Sequence, residues 1–137
     1  MNGTEADPGA QVVLWIIRIA GAALLILSAV CHKLPRNRLA GIRFPHTLAD
    51  DEMWGKVHRR GRWVFFVLGL ACFVPIRSLQ GLITFTIGFL AVLIVSTVYL
   101  YVYARREYRN KFGTTRVVSI GFCKFRPPTE EELKQDV

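Results

Sequence analysis

Asp50, Trp54, His58 and Arg62 recur at intervals of four, so on a helix they run slowly round one side. That stripe would bring together a carboxylate, an indole N–H donor, an imidazole that titrates near neutrality and a guanidinium. Asp51 and Glu52 follow Asp50, where negative charge suits the positive end of a helix dipole. Thr47 with Asp50 fits a capping box, which predicts that helix resumes after Thr47. Capping and solvation explain these acids as readily as a binding role does. His32, His46 and His58 with the acids have the chemistry for zinc or iron, but their spacing matches no compact ligand motif, so no metal or other cofactor is expected. The chain has no nucleophile elbow, no H-E-x-x-H and no phosphate-binding glycine loop, which argues against an enzyme.

The segment that must position the stripe precedes it. Pro45 biases Phe44 away from helix and Gly41 permits a turn, so residues 35–46 should be an ordered, mainly extended crossing. The expectation is that Arg43 leaves this loop to pair with Asp50 or Asp51, while Trp54 and His58 pack towards Tyr99 and Ser96 in one polar pocket.

Composition places the site beside a membrane. Of 137 residues, 52% are apolar, and the mean hydropathy is +0.31, too greasy for an ordinary soluble domain. Apolar runs cover residues 12–31, 63–76 and 79–104. The first and third reach the roughly 20 residues that cross a hydrocarbon core, while the second needs flanking residues, tilt or local thinning. The fold class expected is therefore an all-α integral membrane protein with three transmembrane helices. Arg77 and Ser78 leave room only for a tight turn, so spans two and three form an antiparallel hairpin. Equal steps back from that turn put Arg62 level with Leu93, His58 with Thr97 and Trp54 with Tyr101, inside the inner leaflet. Ser96, Thr97, Tyr99 and Tyr103 would then be the partners of the stripe.

The net charge is +8, and its placement sets an orientation. Lys33, Arg36, Arg38, Arg43, Lys56, Arg59, Arg60 and Arg62 lie between the first two spans; Arg105, Arg106, Arg109, Lys111, Arg116, Lys124, Arg126 and Lys134 follow the third. By the positive-inside rule the N-terminus lies outside, and the loop and C-terminus are cytoplasmic. Such charges attract anionic lipid headgroups, and nucleic acid is not an expected partner. Residues 1–11 read as an extracytoplasmic segment without a basic n-region, so the first span should stay as an anchor. Residues 12–104 form the membrane domain, with the loop at 32–62, and residues 105–137 a basic cytoplasmic tail. Cys31, Cys72 and Cys123 are expected as free thiols.

Arg18 is charged inside an apolar run. It either snorkels to outer-leaflet phosphates or pairs with another subunit. Gly81, Thr84, Gly88, Ala91 and Val95 share one face of the third span, where small residues permit close helix approach. Packing against span two is favoured there over a homo-oligomer. Beyond the basic stop after Tyr99, Tyr101 and Tyr103, residues 111–126 read as irregular, with Gly113 and Gly121 as breaks. Thr129 with Glu132 then makes a capping box for a short terminal helix in an exposed tail.

Gly41-Ile-Arg43-x-Pro45, Thr47-Leu, the acids Asp50, Asp51 and Glu52, Trp54 and His58-Arg59 stand in an order and spacing that resemble the SdpI-like family of bacterial membrane immunity proteins. The resemblance covers residues 34–75. It implies a non-enzymatic role in the bacterial cell membrane, as immunity or signalling against a membrane-active peptide toxin. Binding would then fall to the signature positions, from Asn37 through Arg59 to Arg62. A second reading is an accessory subunit of a larger membrane complex, contacted through Arg18, Gly81 and Gly88. A third is a small transporter or ion-binding unit built on the stripe.

Overall fold

A computed structural model describes residues 8–36, 41–122 and 124–134; Asn37 and Cys123 lie outside the described residues. The protein is mostly helical. Helix α1 (Pro8–Val30) ends in a 3₁₀ turn (Cys31–Lys33); α2 (Pro45–Ala49) and α3 (Asp51–Ala71) follow the loop, and α4 (Leu79–Phe112) is the longest element. Two helical stretches, Pro8–Lys33 and Leu79–Phe112, are long and apolar enough to cross a membrane. The apolar run at 63–76 is instead the second half of α3, which ends at Ala71 and leaves the rest of the run in the connection to α4.

Helices α1 and α3 cross antiparallel at a pair of glycines. A Cβ on Gly21 would come within 2.5 Å of Cys72 Cβ, and one on Gly69 would reach Gly21 O at 3.1 Å. Small residues here let the backbones approach as they do in membrane helix pairs. Further along, Ser28 Oγ donates to Arg62 O at 2.8 Å, and the Cys31 thiol donates to His58 O at 3.5 Å. Both cysteines are free.

Helices α3 and α4 also run antiparallel, because partners descend along one as they rise along the other. Lys56 meets Glu107, Arg60 meets Tyr99, and Gly61 faces Leu100. Equal steps from the turn misplace these levels by one to two helical turns. The reason lies in residues 72–78, which leave the helix: a non-helical residue advances up to about 3.3 Å against 1.5 Å in a helix, so α4 starts beyond the end of α3. His58 consequently lies level with the start of the charged layer of α4. Helix α4 is capped by Ser78, whose side chain accepts from Gly81 N, and ends at Gly113 with φ 71°, the left-handed conformation glycine supplies at a helix C-terminus.

The boundary expected at 104/105 falls inside α4, which continues unbroken to Phe112. The all-α expectation also needs correction. Strands β1 (Val118–Gly121) and β2 (Lys124–Arg126) form an antiparallel hairpin within the stretch read as irregular, pairing Val118 with Arg126 and Ser119 with Phe125. Phe125 and Val117 pack with Phe112 against buried Ala49, Met53 and Tyr108, so apolar burial holds the hairpin to the helices. Helix α5 (Glu130–Lys134) follows, with Glu132 accepting from Thr129 N and forming a two-pronged ion pair with Arg126.

Candidate functional site

The loop folds onto α3 at one point. Gly41 has φ 107°, a conformation L side chains rarely adopt, and any Cβ there would collide with His58 Nε2 and press on the Trp54 ring. The next residue does the holding. Ile42 N–H donates to His58 Nε2 at 2.9 Å, and His58 Nδ1–H donates to Trp54 O at 2.8 Å. One ring nitrogen accepts and the other donates, so this arrangement requires the neutral imidazole. His58 is 0% exposed, and burial lowers its pKa from 6.5, an effect the Trp54 carbonyl opposes.

The Ile42 side chain enters the α3–α4 seam, packing with Val57, Leu100 and Ala104. Gly61 makes that possible, since a Cβ there would overlap Ile42 Cδ1. Trp54 stacks on His58 with centroids 4.0 Å apart and donates from Nε1 to Leu34 O at 2.9 Å. Thr47, fully buried, accepts from Phe44 N at 3.0 Å and places its hydroxyl proton between Ile42 O and Phe44 O. Pro45 opens α2, where its missing N–H costs nothing. The helix that carries the stripe is capped by Asp50, whose carboxylate accepts from Met53 N at 3.1 Å; Thr47 instead closes the turn before α2.

The polar pocket expected on α4 is not what the geometry builds. Trp54 and His58 face the loop and the end of α1, while Arg60 reaches Tyr99 and Tyr103. Arg43 is exposed, and the acids find other cations: Asp51 pairs with Arg36 at 3.0 Å, and Asp50 with Lys111 at 2.9 Å. Glu52 bridges Lys111 at 2.6 Å and Lys56 at 2.9 Å, and these hydrogen bonds hold its pKa at about 2. Arg59 is exposed, and the Arg62 guanidinium lies 5.0 Å from the Trp63 ring centroid. Arg18 lies over exposed Trp15, towards the N-terminal end of α1. Gly88 has open space at its Cβ, so the small-residue face of α4 makes no close helix contact there.

His46 extends the lock to the C-terminal segment. Its Nε2–H donates to Thr115 O at 3.1 Å, and its ring stands 5.1 Å from that of Tyr108. Desolvation lowers the His46 pKa against the opposing pull of the Thr115 carbonyl. Among the described residues, His46 Nδ1 and Tyr108 OH are buried and find no hydrogen-bond partner. Gly61, Lys111 and Tyr108 were missed by sequence reasoning. Only Gly61 had a local signal, a residue without a side chain amid the basic stretch Arg59 to Arg62.

Two apolar helices with a loop locked between them and a third amphipathic helix define a small helical membrane protein. The SdpI/YfhL protein family matches residues 33–104, more than half the chain, and the chain belongs to that family. No curated protein and no solved structure matches it.

Proposed function

We propose that the chain is a non-enzymatic, three-span protein of the bacterial cell membrane that provides immunity or signalling against a membrane-active peptide toxin. Membership of the SdpI/YfhL family over the region containing Gly41, Ile42, Trp54 and His58 carries this reading. A third span in the second half of α3 is supported by its outward apolar surface, where Trp63 is 58% exposed and Val67 57%. The Lys and Arg distribution supports an external N-terminus, with the loop and C-terminus in the cytoplasm. The accessory-subunit reading draws on the open small-residue face at Gly88.

The test is survival. A susceptible bacterium expressing the chain is challenged with a panel of pore-forming and membrane-depolarising peptides while a potential-sensitive dye is followed. Protection against at least one peptide, lost in Gly41→Val, is the expected outcome. Full depolarisation by every peptide, with the chain abundant in the membrane, would refute immunity.

A further inference from the structure

We propose that the α3–α4 seam is a binding groove for one anionic phospholipid, with Arg60 and Arg106 holding the phosphate. At the charged end a cleft of about 330 Å³ is lined by Arg60, Tyr99, Tyr103, Arg106 and Asn110. Arg60 is fixed there twice: its Nη1 donates to Tyr99 OH at 2.5 Å, and its guanidinium carbon lies 4.1 Å from the Tyr103 ring centroid. A guanidinium held in this way is prepared for planar, two-pronged contact with phosphate oxygens. Glu107 also lines the cleft, but Lys56 Nζ lies 3.4 Å from its carboxylate and offsets its charge.

The apolar end lies on the same side of both helices. A second cleft of about 250 Å³ is lined by Val67, Leu68, Phe85, Phe89 and Val92. Residues 60 and 67 on α3, and 85, 92, 99 and 106 on α4, are separated by sevens, which keeps them on one helical face. Val92 is seven residues from Tyr99, the partner of Arg60, and fourteen from Arg106, so the apolar trough begins about 10 Å along the helix from the first and about 20 Å from the second. Phosphate chemistry at one end and an apolar trough running into the hydrocarbon band match a headgroup joined to acyl chains. Free phosphate would satisfy only the first half. This inference does not depend on the toxin reading, because it needs only α4 in the membrane.

Native mass spectrometry of the full chain, released from mild detergent, tests it with three probes: phosphatidylglycerol, phosphatidylcholine of the same chain length, and inorganic phosphate. Phosphatidylglycerol should bind at least about tenfold more tightly than phosphatidylcholine, whose phosphate offers the same oxygens but whose choline cation cancels the net charge and repels Arg60 and Arg106. The double variant Arg60→Gln with Arg106→Gln should lose that preference, and Arg109→Gln, outside the cleft, should keep it. Tyr99→Phe, which removes only the hydroxyl that orients Arg60, should weaken the preference with the fold intact. Equal binding of the two lipids, equal loss in Arg109→Gln, or displacement of phosphatidylglycerol by inorganic phosphate would each overturn the assignment.

Discussion

At Gly41, Ile42 and His58 the signature resolves into steric and hydrogen-bonding requirements. Gly41→Ala forces a side chain into a left-handed backbone and against the His58 ring. With about 1 to 2 kcal/mol for the backbone and about 1 to 3 kcal/mol for overpacking, a loss near 3 kcal/mol is expected in denaturant unfolding followed by Trp54 fluorescence. A loss below about 0.5 kcal/mol, the ordinary scale of surface changes, would show that the loop does not press on His58. His58 and His46 set a pH dependence with a defined sign. Both have pKa values lowered from 6.5 by burial, so the unfolded chain binds more protons as pH drops below that value. Their stabilisation is complete above pH 6.5 and declines on acidification towards the folded values, with each histidine contributing up to about 1.4 kcal/mol per pH unit. Unfolding curves between neutral and mildly acid pH test this. Stability that rises on acidification would mean that the imidazoles are charged in the folded protein.

At the scale of elements, the charged layer joins α3 to the far end of α4 through Lys111, Asp50 and Glu52. These groups are partly exposed, with side-chain exposures of 33%, 20% and 52%, so the pairs tie elements together at small net gain. A double-mutant cycle of Lys111→Met and Asp50→Asn should give a coupling of about 0.2 to 1 kcal/mol that shrinks in high salt. A coupling of 3 kcal/mol or more, the range for breaking buried pairs, would place the layer in a dry interior. Much of the element plan was legible: hydropathy marked α1 and the first part of α4, and Thr129 with Glu132 marked α5. The level of α3 against α4 was not, because an irregular connection shifts register without any periodic trace. The β1–β2 hairpin escaped for a similar reason. Its short, half-polar strands are held by Phe125 packing on a distant cluster around Tyr108. Within the site, Trp54 and His58 were rightly placed on one helical face. Their partners were assigned to α4 when they belong to the loop and α1, since spacing within a helix says nothing of which neighbour the face meets.

Over the whole molecule, a single signature unit ties α1, the loop, α3, α4 and the C-terminal segment together. Gly21 and Gly69 set the α1–α3 crossing, Ile42 enters the α3–α4 seam, and His46 reaches Thr115 beyond α4. The family match covers residues 33–104, and the loop contacts that hold the helices together lie largely within it. The signature residues lock the loop through a neutral, buried His58. Hydrogen exchange at the Ile42 amide, which donates to His58 Nε2 at 2.9 Å, measures that lock directly. In the detergent-solubilised chain at neutral pH this amide should exchange far more slowly than an unstructured loop amide. The protection should vanish in His58→Phe and persist in Arg59→Gln. An Ile42 amide that exchanges at the unstructured rate in the unaltered protein, or one still protected after His58→Phe, would contradict the account.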